Sequence, residues 1–78
     1  MDITPNRTAD FSGLASPMPI LKTKKAVDGM KVGEVLKMIS TDPGSVSDVQ
    51  AWVKKTGHEL LDHEVSGGKF VFYIKKIK

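Results

Sequence analysis

Two prolines within four residues, Ser16-Pro17-Met18-Pro19, are the tightest local constraint in this sequence. Inside a helix each would remove a backbone hydrogen bond and clash with the preceding turn, so no helix runs through both. At a helix start they are tolerated, because the first N–H groups have no intrahelical partner. Beyond them, Ile20, Val27 and Met30, with Leu21 alongside, recur at helical spacings and are expected to face a core. Lys22 and Lys25 share the opposite, wetter face. The pattern predicts a helix capped by Ser16, with Pro17 as its first residue and Gly29 and Gly33 bracketing its end.

The rest of the chain divides around that helix. Met1 to Arg7 is polar and reads as a loose tail, and Thr8 to Phe11 reads as a short strand followed by a turn over Ser12-Gly13-Leu14-Ala15. Glu34 to Thr41 is apolar and rich in branched residues, hence a strand. Asp42-Pro43-Gly44-Ser45 is turn chemistry. A second helix is expected over Val46 to Thr56, with Val46, Val49 and Val53 as its apolar stripe and Trp52 beside it. Ser45 and Asp48 suggest a capping box, and Gly57 a C-terminal cap. His58 to Ser66 and Lys69 to Ile77 form a hairpin about Gly67-Gly68, with Phe70, Phe72 and Ile74 as the face that meets the helices. The order β-α-β-α-β-β predicts a two-layer α/β (α+β) sandwich, with both helices on one face of a four-stranded mixed sheet. One domain over residues 8–78 follows the tail of residues 1–7.

Seventy-eight residues must build that core without help, because the chain has no cysteine. Disulfides, thiolate metal sites and thiol catalysis are excluded as the chain is written. The charge of +3, from 12 Lys and Arg against 9 Asp and Glu, is modest. It permits acidic partners or nucleic acid without requiring them. No apolar run approaches the roughly 20 residues that span a bilayer. The first ten residues lack the apolar stretch of a signal peptide, and a cytoplasmic protein is expected.

The segment Gly13-Leu14-Ala15-Ser16-Pro17-Met18-Pro19, preceded by Asp10 and followed by a basic helix, resembles the signature of the TusA (SirA-like) sulfur-carrier family. That signature is a Gly-Leu pair, one variable residue, then Cys-Pro-x-Pro. Thr41-Asp42-Pro43-Gly44-Ser45 and Gly57 before the Gly67-Gly68 hairpin extend the resemblance over about residues 8–78. It departs from the signature at one fixed place, where Ser16 stands for the cysteine. The resemblance implies a carrier that accepts persulfide sulfur on the residue-16 cysteine of a parent form. A cysteine desulfurase or other persulfide donor would supply it, and an acceptor protein would pass it toward tRNA thiolation, cofactor synthesis or sulfur oxidation. No cofactor is implied.

A thiol has a pKa of about 8.5, and a helix N-terminus favours its thiolate. The resemblance therefore implies a reactive atom at the helix start, with Pro17, Met18, Pro19, Lys22 and Lys25 in the partner surface and Asp42 in the turn beside it. A serine hydroxyl does not ionise near neutral pH and forms no stable persulfide analogue. Two origins of Ser16 stay open on sequence grounds: a deliberate Cys→Ser replacement that removes an exposed thiol, or a natural serine in a member that only binds. The Ser16 form is expected to be inactive in transfer.

Other residues have plainer readings. Ser16 has no Gly-x-Ser-x-Gly elbow around it, which argues against a hydrolase. His58 and His63, five apart on one strand, would point to opposite faces and so form no metal site or relay. Met30, Met38 and Trp52 suit the core, and Met18 between prolines suits the surface. Lys24-Lys25 and the Lys75-Lys76-Lys78 tail read as solvated charge. A helix-on-sheet layer with Tyr73 near lysines also resembles the C-terminal domain of translation initiation factor 3. This keeps weak RNA binding, or a regulatory protein-binding module, as the alternative.

Overall fold

In the computed structural model, residues 3–78 are described; Met1 and Asp2, in the expected tail, lie outside them. Alternating apolar residues build the sheet: in β2 (Val35–Ser40) Leu36, Met38 and Ser40 are buried and their neighbours half-buried. β1 (Arg7–Asp10) pairs parallel to β2, setting Ala9 opposite Met38. β4 (Lys69–Lys75) pairs antiparallel to β2, and β3 (Glu59–Ser66) antiparallel to β4, giving the order β1-β2-β4-β3. Helices α1 (Met18–Asp28) and α2 (Ser45–Thr56) supply the second layer. Val27, Val49 and Trp52 from the helices meet Leu36, Met38, Phe72 and Ile74 from the sheet in one core. The expected α+β sandwich and its phenylalanine face are what the chain forms. Asn6 and Arg7, read as tail, are tied to β2: Asn6 N–H donates to the Val35 carbonyl, and Arg7 pairs with Leu36.

Helix ends differ from the sequence reading. α1 begins at Met18 with Pro17 as its N-cap, so Ser16 lies outside the helix and caps nothing. Leu21, expected beside the core, is 48% exposed. Thr23 takes the inward position instead, burying its hydroxyl by donating to the Pro19 carbonyl at 2.8 Å. α2 has no side-chain cap either. Ser45 is buried and its Oγ pairs with Ser40 Oγ at 2.7 Å, which leaves Asp48 free to face elsewhere. Gly57 does close α2 in the left-handed conformation, φ 84°, where a Cβ would be strained.

The C-terminal hairpin brings two further corrections. A bulge between Leu60 and Asp62 shifts the phase of β3, so His63 pairs with Phe72 and stacks on it. His58 precedes β3 and packs on Trp52, with ring centroids 5.4 Å apart. The two rings therefore do not oppose each other across the sheet. No grouping of His, Asp and Glu suited to a metal ion occurs among the described residues. Lys76, read as solvated, extends Nζ to the carbonyls of Met30 at 2.7 Å and Asp28 at 3.3 Å, satisfying the C-terminal end of α1.

His58 Nδ1 accepts the Ile77 N–H at 3.1 Å, which requires the neutral ring. Burial holds its pKa below the usual 6.5, the charges of Lys76 and Lys78 push the same way, and Asp28 opposes them. In this case the unfolded chain binds the proton more readily. The contribution to stability is therefore present above pH 6.5 and is lost as pH falls through the folded-state pKa. We expect the urea midpoint to fall modestly between pH 7 and pH 5, and His58→Gln to flatten that part of the profile. An unchanged slope in the variant would remove His58 as its source.

Candidate functional site

The chain leaves β1 through a loop fixed by side chains rather than by regular pairing. Asp10 accepts from both Ser12 N–H and Ser12 Oγ, and these bonds hold its carboxyl below the usual carboxylate range. Phe11 N–H continues the ladder to the Ile39 carbonyl at 2.8 Å. Gly13 N–H donates to Thr41 Oγ1 at 2.9 Å, tying the loop to the end of β2. The Ser16–Pro17 peptide bond is cis.

Ser16 hangs between two carboxylates. Its N–H donates to Asp42 Oδ2 at 2.7 Å, and its Oγ donates to Asp48 Oδ2 at 3.1 Å. Asp42 is itself fixed. Its Oδ1 accepts from Gly44 N–H at 3.3 Å, and its own N–H donates to Ser40 Oγ at 3.1 Å. Asp42 is thus both the turn residue of the sequence reading and the group that pins the backbone of residue 16. The expected helix-start environment is not what the side chain meets: Ser16 Oγ faces a carboxylate of α2, not the first amides of α1.

Two surfaces flank this residue. One is a groove of about 290 Å³ between the helices, lined by Pro17, Ile20 and Lys24 of one stripe and Asp48, Trp52 and Lys55 of the other. The spacings i, i+3, i+7 and i, i+4, i+7 put each set on one helix face. The second is the outward face of α1, where Met18 (41% exposed) and Leu21 lie at i and i+3 with Lys22 and Lys25 at i+4 and i+7. Pro17 is exposed here too, whereas Pro19 is buried and offers no partner contact. Of the groove residues, the sequence reads Asp48 as a capping residue and Lys24 as solvated charge, and it does not single out Lys55. The capping-box pattern offered Asp48 another role, and the groove exists only once the two helices lie side by side.

A sequence model of the family described as sulfurtransferase TusA matches residues 7–76. The chain belongs to the TusA family. The sulfur carrier protein TusA of Allochromatium vinosum is 54% identical over 67 residues, covering 86% of this chain and 88% of the relative. The sulfur carrier protein TusA of Pseudomonas putida is 35% identical over 75 residues, covering 96% and 94%. Among solved structures, a SirA-like protein from Desulfitobacterium hafniense superposes with a TM-score of 0.78, covering 92% of this chain and 99% of that one. At 22% identity that likeness speaks for the fold alone. In this TusA chain no helix among the described residues is long and apolar enough to cross a membrane.

Proposed function

We propose that this TusA chain is the scaffold of a persulfide carrier whose cysteine form bears sulfur at residue 16, and that the Ser16 form docks partners without carrying sulfur. The observation that supports it most is the placement of residue 16: exposed, with its backbone pinned by Asp42, at the head of an apolar and basic helix face. A carrier needs a side chain that a second protein can reach and a rigid frame that presents it. In transfer, the residue-16 thiolate attacks the terminal sulfur of a donor persulfide. The new S–S bond forms as the donor's own S–S bond breaks, the donor cysteine leaves as thiolate, and one proton returns to it. The carrier then holds the sulfur as a persulfide and yields it to an acceptor thiol or enzyme by the same exchange. A serine oxygen cannot enter this sequence.

On this reading Met18, Leu21, Lys22 and Lys25 meet the donor and acceptor proteins in turn, with Pro17 at their edge. Asp42 positions residue 16 rather than touching the partner. The downstream use of the sulfur, in tRNA thiolation, cofactor synthesis or sulfur oxidation, depends on the acceptor. The test is Ser16→Cys incubated with a cysteine desulfurase and cysteine, followed by intact-protein mass spectrometry. One added sulfur per chain on residue 16 is expected, and none on the Ser16 form. A Ser16→Cys protein that stays unloaded while the desulfurase turns over would end the carrier reading.

A further inference from the structure

We infer that Asp48 is a positioning residue that holds the residue-16 side chain hydrogen-bonded and keeps a thiol there protonated while the carrier is free. Asp48 projects from the first turn of α2 and accepts the Ser16 hydroxyl at 3.1 Å. Neither Ser45 nor the helix end competes for it, since α2 has no side-chain cap. A cysteine at the same position offers an S–H donor in place of the O–H. The protonated thiol keeps that hydrogen bond. The thiolate loses it and faces a carboxylate instead, and a like charge at this range disfavours ionisation.

The other charged groups around residue 16 are Asp42 from the β2–α2 turn, which acts in the same direction, and Lys24 of α1 and Lys55 of α2 in the groove, which act against it. Among the described residues, Asp48 is the one whose side chain hydrogen-bonds Oγ. An exposed thiol on a diffusing carrier is open to every small electrophile and oxidant, and thiolate fraction sets that hazard. Asp48 therefore keeps the free carrier quiet. Reactivity rises when a docked donor draws the side chain away from the carboxylate. This inference rests on the carrier reading for its biological sense, but its measurement does not.

The test compares Ser16→Cys with Ser16→Cys/Asp48→Asn in iodoacetamide alkylation from pH 6 to pH 10, each fold checked by circular dichroism. Removing one unit charge close to the sulfur should speed alkylation at pH 7 by roughly three- to tenfold and move the profile to lower pH. Ser16→Cys/Asp48→Glu, which restores the carboxylate, should return most of the protection. Asp48→Ser serves as the second neutral variant should the asparagine protein misfold. Superimposable alkylation profiles for the aspartate and the folded neutral variant would overturn the inference, as would faster alkylation that the glutamate does not reverse. Because alkylation needs no donor, these outcomes stay separate from sulfur loading: failure to load with a shifted profile counts against the carrier reading and not against Asp48.

Discussion

Phe72→Ala is expected to bring the domain to the edge of unfolding at room temperature. Phe72 is the largest fully buried side chain, and it sits at the centre of β4 between Met38 on β2 and His63 on β3. Trimming a buried phenylalanine to alanine costs about 3–5 kcal/mol, from lost transfer energy and from the cavity left behind. A chain of this length has roughly 4–12 kcal/mol of total stability. It has no disulfide among its resources, because it has no cysteine. The loss therefore consumes a large share of what holds the fold. Neighbours can close the gap only poorly: Met38 is flexible, but Leu36 and Ile74 are fixed by strand pairing on either side. Phe72→Leu, which keeps much of the volume, should cost about 1–2 kcal/mol. Urea titration followed by Trp52 fluorescence reads both, since Trp52 is the single tryptophan and lies in the same core. An alanine variant with a midpoint near that of the parent would mean that the core repacks far more freely than its burial suggests.

The sheet was legible in the sequence because its signal is local. β2 is an apolar run rich in branched residues, and in β4 Phe70, Phe72 and Ile74 alternate with their neighbours, so the strands and the face of β4 that meets the helices follow from residue order along the chain. The Gly67-Gly68 turn, with both residues at positive φ, was equally local. The places where the reading slipped depend on packing between distant segments. Leu21 groups with the core by its apolar side chain, but on a helical wheel it lies well away from the Ile20, Val27 and Met30 stripe. That stripe passes through Thr23, which can turn inward because the Pro19 carbonyl accepts its hydroxyl. The phase of β3 was lost at a bulge that no residue type announces.

The site shows the same division. The Gly-Leu-x-x-Pro-x-Pro frame pointed to residue 16, and the turn chemistry pointed to Asp42. That Asp42 grips the Ser16 amide, and that Asp48 reaches the Ser16 hydroxyl, needs the spatial approach of segments 26 and 32 residues apart. A motif gives the identity of a reactive position more readily than its electrostatic surroundings. Here the surroundings changed the expected chemistry from an amide-rich helix end to a carboxylate.

Reversing Lys22 and Lys25 together to glutamate is expected to slow association with a cysteine desulfurase by tenfold or more at low salt. Both lysines lie on the exposed face of α1 that carries Met18 and Leu21. Exposed charges contribute little to the stability of the carrier itself, so the fold should survive, with Lys25 giving up only a weak helix-dipole contact. What they supply is steering: a local positive field raises the encounter rate with an acidic surface and orients the approach, and changes of that size in rate are typical of such patches. The effect must therefore shrink as salt shortens the screening length to about 10 Å at 0.1 M and less beyond it. Lys37→Glu is the control. Lys37 alternates with the core-facing Leu36 and Met38, so it sits on the sheet face away from the helices, and its reversal changes net charge without touching the proposed surface. Met18→Ala with Leu21→Ala should act differently. Loss of apolar contact raises the dissociation rate and leaves the encounter rate and its salt dependence nearly unchanged. Stopped-flow binding of the Ser16 protein separates the two, since no sulfur moves to complicate the trace. If Lys22→Glu/Lys25→Glu binds as Lys37→Glu does at every salt concentration, the outward face of α1 is not where partners dock. The groove between Lys24 and Lys55 would then be the surface to vary next.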